Sequence, residues 1–161
     1  MTTSVFDLIR AEKSNLEVGP WKEGKIPPSS FPINRPRSIP TGGAWKWRMC
    51  EFDALGFHCR VLIRLNAETD RYHAYMSVDT DRSVKVLCHH ELHIGDKGWH
   101  CHFASGTIED VMEGVLRDRD CFVMKEAAPS AAAATMFTVN EDNALTKAAQ
   151  RYRFEAKGGL V

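Results

Sequence analysis

Between Trp45 and Phe103 the chain alternates apolar and polar residues with a period of two. Trp45, Trp47 and Met49 alternate with Lys46, Arg48 and Cys50, and Phe57, Cys59, Val61, Ile63 and Leu65 alternate with His58, Arg60, Leu62, Arg64 and Asn66. Tyr72, Ala74, Met76 and Val78 then alternate with His73, Tyr75, Ser77 and Asp79. Successive side chains of a strand point to opposite faces, so each segment reads as a half-buried strand. Turn-forming clusters at Asp53–Gly56, Asn66–Asp70 and Thr80–Arg82 separate them. The pattern predicts an antiparallel meander of four to six strands with one face packed and one face free.

Apolar residues at helical spacing mark the flanks. Val5, Phe6, Leu8, Ile9 and Leu16 predict a short N-terminal helix within residues 1–18, and Leu145, Ala148, Ala149 and Tyr152 predict another from Asn140 to about Ala156. Thr107-Ile108-Glu109-Asp110 has the form of a capping box with aspartate in place of glutamate. Ile108, Val111, Met112, Val115 and Leu116 continue at helical spacing, which predicts a helix over 107–117. Residues 19–43 hold six of the seven prolines. Proline fixes φ and withholds an amide donor, so this segment is expected to be an extended arm laid across the domain or across a partner. Trp21 is the aromatic expected to meet such a partner. Ala127 to Thr135 is low in complexity and predicts a linker over 127–139. The expected fold class is α+β. Its core spans 44–126, with helices packed on one face of the sheet, and a C-terminal helix and tail occupy 140–161.

All seven histidines lie between His58 and His102, and five of them fall from His89 onward. A hairpin turning over Gly95-Asp96-Lys97-Gly98 would pair Ile94 with Trp99, His93 with His100 and Glu91 with His102. Val84, Val86, Cys88, His90, Leu92, Trp99, Cys101 and Phe103 then share the packed face, while His89, Glu91, His93, His100 and His102 share the free one. The same alternation adds Lys46, Arg48, His58, Arg60, Arg64, His73, Tyr75, Asp79 and Lys85 to the free face, which makes it locally basic. The whole chain is neutral, with 21 Lys and Arg against 21 Asp and Glu. No global field therefore draws it to nucleic acid or to a membrane.

Imidazole titrates near neutral pH and is the commonest metal ligand. His100-x-His102 places two imidazoles on one strand face, and cross-strand neighbours lie ~4.5–5.5 Å apart. His93 or Glu91 can then complete a set of three, the number of protein ligands catalytic zinc takes. Zinc or another divalent metal is the expected cofactor, with Glu91, His93, His100 and His102 as both its ligands and the catalytic residues. His90 falls on the packed side as a buried, hydrogen-bonded histidine. Arg60, Arg64, His73, Tyr75 and Lys85 form a candidate phosphate-binding platform, because arginine pairs bidentately with phosphate.

The expected function is hydrolysis of a phosphodiester in RNA or a nucleotide. Either a metal activates water with Glu91 as base or fourth ligand, or two histidines act as general acid and base while Arg60, Arg64 or Lys85 stabilises the transition state. The rival is a non-catalytic module whose basic face and 19–43 arm dock a protein or nucleic-acid partner. A third arrangement is an oligomer whose subunits share the site. The chain has no Gly-x-Gly-x-x-Gly, Walker loop, Gly-x-Ser-x-Gly or His-Glu-x-x-His. The five cysteines are odd in number and show no Cys-x-x-Cys pair. The charged N-terminal stretch lacks the apolar run of a signal peptide, and nothing approaches the ~18 apolar residues of a membrane span. A cytoplasmic location is expected.

Overall fold

The period-two segments are strands, and short turns set each one antiparallel to the next. The computed structural model describes residues 2–33, 39, 41–93, 98–117, 121–125 and 139–155, with backbone alone at 93, 98, 122, 124 and 125. After helix α1 (Val5–Arg10) come β1 (Ser14–Val18), β2 (Lys22–Glu23), β3 (Trp45–Ala54), β4 (Phe57–Asn66), β5 (Arg71–Asp79), β6 (Val84–His93), β7 (Gly98–Ala104), β8 (Cys121–Lys125) and helix α2 (Glu141–Tyr152). The strands form one sheet in the order β1-β3-β4-β5-β6-β7-β8, with β2 pairing beside β1 on β3. This exceeds the four to six strands expected. The linker residues 127–138 and the turn residues 94–97 lie outside those described.

Both helices pack on one face. Val5 and Leu8 of α1, and Ala144, Ala148 and Tyr152 of α2, join Phe52, Val61, Ile63, Tyr72, Met76 and Phe103 in the larger core. Leu92 and Cys101 belong to it too, as expected, and Trp99 packs against it. Ser4 caps α1 by accepting from the Asp7 amide at 3.0 Å. Asn140 and Asn143 form a reciprocal capping box on α2, which ends at Tyr152 with Arg153 left-handed at φ 58°. Among the described residues no helix is long and apolar enough to cross a membrane. Cys50, Cys59, Cys88 and Cys101 are buried free thiols. Burial pushes the pKa of Cys50 and of Cys59 up to about 12.

The opposite face is not bare. The proline-rich arm folds back over part of it, and Ile26, Phe31 and Ile39 pack on Trp47, Leu62, Tyr75, Val84 and Val86 in a second core. Beyond β2 the prolines deny the arm a ladder, so side chains hold it. Arg60 donates to the carbonyls of Ser29 and Ser30 at 2.8 Å each, and Trp47 Nε1 donates to Gly24 at 3.1 Å. Trp21 packs within the molecule, against the larger core and under the Arg48 guanidinium.

Several local expectations are overturned. The N-terminal helix stops at Arg10, because Ala11 turns extended (ψ 155°) and residues 14–18 gain cross-strand hydrogen bonds to β3 that a longer helix would forgo. The helix expected over 107–117 is a single 3-10 turn, Ile108–Asp110. Thr107 Oγ1 donates to the Asp110 carboxylate instead of capping the backbone. Lys85 takes the carbonyls of Ile108 and Glu109, and Gly114 (φ 79°) donates to Val84 across the sheet edge at 2.8 Å. The segment thus passes from one face to the other, with Ile108 and Val111 in the larger core and Leu116 against the smaller.

Parity shifts as well. Strand β3 is turned over relative to expectation. Trp47 lies in the arm-side core, while Lys46 pairs with Glu141 of α2 and Arg48 donates to the Gly19 carbonyl. In β6, Met76 faces Cys88 whereas Ser77 faces Val86, so Leu87 is an extra residue. A bulge reverses the alternation on one side of itself. Val84 and Val86 therefore join the arm-side core and Lys85 points to the helix side.

Two stability predictions follow from these packings. Leu55 and Gly56 turn β3 into β4 with φ of 50° and 84°, the double positive φ of a type I′ turn, which favours Asn at the first position. Leu55 is 55% exposed, so Leu55→Asn loses no packing and should raise stability by about 1 kcal/mol, read as a higher denaturation midpoint at constant m-value. Phe31→Ala should lower stability by about 3–5 kcal/mol. A change within about 0.5 kcal/mol would mean that the arm does not cover the sheet.

Candidate metal centre

Strand order puts the histidines of three neighbouring strands side by side. Glu91 on β6 lies opposite His73 on β5 and opposite His100 on β7, and His89 lies opposite His102. The β6–β7 pairing is two residues out from the expected register, in which Glu91 met His102. A two-residue shift leaves every side chain on its expected face, so the cluster forms even though the individual pairs differ.

Glu91 is 5% exposed and stands at the centre. His100 Nε2 and His102 Nε2 donate to its Oε1, the latter at 3.0 Å. His89 Nε2 and His73 Nδ1 approach Oε2 at 3.2 and 3.3 Å and lie 2.8 Å from each other. Arg117 Nη2 donates to His89 Nδ1 at 3.2 Å and lies 3.8 Å from Glu91 Oε1. A neutral imidazole accepting at Nδ1 carries its proton on Nε2, so Arg117 aims the His89 proton inward.

A ring stack supports these groups. Tyr75 stacks on His89 with centroids 4.2 Å apart and on His73 at 6.0 Å. Arg64 Nη2 donates to Tyr75 Oη at 3.0 Å, and its guanidinium lies 4.6 Å from the Trp45 ring centroid. Behind β6, the Tyr152 hydroxyl accepts from the His90 amide and donates to the Ala74 carbonyl. This pins the backbone between His89 and Glu91. The His90 ring itself lies on the helix side, with its Nδ1 3.1 Å from Tyr72 Oη.

Burial works to raise the Glu91 pKa, but hydrogen bonds from His73 and His102 and charge interactions with His89 and His73 outweigh it and hold the carboxyl well below its ordinary range. Burial pushes His89 far below the usual imidazole value, with His73, Arg117 and His102 adding to the effect and Glu91 opposing it. Burial and then Arg117 lower His102, again against Glu91. An ionised Glu91 beside His89 and His102 imidazoles biased toward the neutral form is the protonation state that metal ligation requires.

The cluster can hold a metal ion. Donor atoms of His73, His89 and Glu91 lie within 4.8 Å of one another, as do those of Glu91, His100 and His102. Imidazole with carboxylate suits zinc and neighbouring transition metals. Three of the residues expected at the site, Glu91, His100 and His102, thus come together. The His93 side chain lies outside what the structure describes. His73, expected to bind substrate, is instead part of the cluster, and His89 adds a fifth member. Both were visible as free-face histidines next to Glu91 in the alternation. Arg117 had no such signal, because its segment reads as a helix.

Of the expected phosphate platform, Arg64, Tyr75 and His73 come together, while Arg60 and Lys85 are engaged elsewhere. Arg60 is held bidentately by Asp79 at 2.8 and 3.1 Å as well as by the arm. Arg64 is 3% exposed beneath Tyr75, and Lys85 lies on the helix side. His58 is apart from the cluster, bound to Asp53 at 2.9 Å and Glu51 at 3.2 Å. Comparison with protein-family models, with curated proteins and with solved structures yields no match.

Burial turns Arg64 into a test of fold rather than of binding. Arg64→Ala should destabilise the protein by about 3.5–5 kcal/mol, the sum of a charged hydrogen bond and a desolvated cation–π contact. Thermal or denaturant unfolding measures this. A variant as stable as the parent would show that Arg64 does not brace the Tyr75–His89 stack.

Proposed function

We propose that this protein is a metal-dependent hydrolase acting on a phosphodiester, in RNA or a nucleotide. The observation that carries this reading is Arg117. Its side chain is 46% exposed at the edge of an otherwise buried His–Glu cluster, the position from which a cation can meet an anionic substrate. The histidines and Glu91 would hold the metal, which supplies Lewis acidity and a nucleophile at neutral pH when bound. His73, His89, His100 and His102 orient one another through Glu91. Tyr75 and the arm-side core exclude water from one side of the site. Arg117 offers a fork of N–H donors to a phosphate oxygen, and such a group aimed at developing charge contributes strongly to rate.

Full-length, untagged protein stripped of metal and reloaded with Zn²⁺, Mn²⁺ or Mg²⁺ should cleave a labelled RNA oligonucleotide or an activated phosphodiester. Activity should vanish in the His100→Ala, His102→Ala double variant. Arg117→Ala should lower kcat by about 10²–10³-fold, with bound metal undiminished. Tight metal binding without turnover of any phosphodiester would leave a structural metal site and overturn the hydrolase.

A further inference from the structure

We infer that the cluster is built for two divalent cations sharing Glu91, one between His100, His102 and Oε1, the other between His73, His89 and Oε2. This rests on the metal-binding half of the function proposed above. Two sets of three donors each fit within 4.8 Å, whereas a set of all five does not. Around one cation with bonds of about 2.0–2.1 Å, ligand atoms stand about 3.3 Å apart in a tetrahedron and at most about 4.2 Å apart across an octahedron. Five donors spread beyond that do not close on one ion. Within each set the spacing is suitable, at 3.2, 3.3 and 2.8 Å on the His73–His89 side and 3.0 Å from His102 to Oε1.

Strand placement explains the division. Glu91 has a histidine directly opposite on each neighbouring strand, so its two oxygens serve partners on opposite sides. Each set is two imidazoles and a carboxylate oxygen, a three-donor composition that catalytic zinc uses with a fourth position open. Paired cations clamp both the attacking and the leaving oxygen of a phosphoryl displacement, which matches the substrate class proposed.

Charge sets the order of filling. Two dications against one carboxylate leave a large positive excess, so the second ion binds more weakly than the first, and a bridging phosphate tightens it. Arg117 opposes the ion at His73 and His89. Once His89 ligates through Nε2 its proton must sit on Nδ1, facing the Arg117 donor now 3.2 Å away. The guanidinium then has to leave His89, which its exposure permits and which frees it for the anion.

Metal analysis and calorimetric titration of the stripped full chain with Zn²⁺ should find about two ions per chain in two steps, the weaker step tightened by inorganic phosphate and by Arg117→Ala. The His73→Ala, His89→Ala and the His100→Ala, His102→Ala double variants should each retain about one ion. Glu91→Ala should weaken both sites by roughly 100-fold or more. Should these variants misfold, X-ray absorption of the Co²⁺-loaded parent should still show a metal neighbour at about 3.5–4 Å. One ion per chain at saturation, or two ions indifferent to Glu91→Ala, overturns the shared site and leaves the metal reading intact. No bound ion overturns both.

Discussion

A carboxylate as buried as Glu91 carries a desolvation cost of several kcal/mol unless donors surround it. Much of the architecture can be understood as meeting that demand. The donors come from three adjacent strands, so the β5–β6–β7 register has to be held to the residue. Tyr152 of α2 fixes the backbone of His90 from one side, and Tyr75 holds the rings of His73 and His89 from the other. Arg117 supplies both a tautomer choice for His89 and a countercharge for Glu91. Removing any one of these leaves the others with an unmet polar group in a place water reaches poorly.

The arm has a part in this that its composition disguises. Residues 26, 31 and 39 make part of the histidines' own face into a second core, so the sheet is packed on both sides and the cluster stands at the border of an apolar layer. Arg60, which on charge alone looked like a phosphate ligand, spends all three nitrogens on the arm and on Asp79. A basic residue on the face that carries the cluster can thus have every donor engaged within the fold. The difference shows only when its partners are counted.

Side-chain parity made the cluster face readable in the sequence. Within one hairpin free of bulges, period two fixes relative faces but pairs only modulo two, which is why His89, Glu91, His100 and His102 were placed together correctly while Glu91 was given the wrong partner across β7. What could not be read was anything that depends on a single added residue or a distant contact. The bulge at Leu87 moves Lys85 to the other side without altering the apolar count of β6. Residues 14–18 become a strand because β3 offers them hydrogen bonds, a gain that helical spacing cannot register. Residues 107–117 carry a helical pattern, yet Lys85 and Val84 claim their backbone groups and Gly114 turns the chain left-handed. The segment that looked most regular is the one that delivers Arg117 to the site.

The buried cysteines give the sheet a built-in sensor of its own opening. Cys50 and Cys59 face each other's strands from β3 and β4, on the helix-covered side, while Cys88 and Cys101 lie behind the cluster on β6 and β7. With the first two held near pKa 12 by burial, almost no thiolate exists in the closed state to react with an alkylating reagent. Labelling at those positions therefore times the exposure of β3 and β4 on the helix-covered side. Cys88 is not silenced in the same way, because burial works to raise its pKa but hydrogen bonds with Cys101 and Tyr152 and the Arg151 charge lower it.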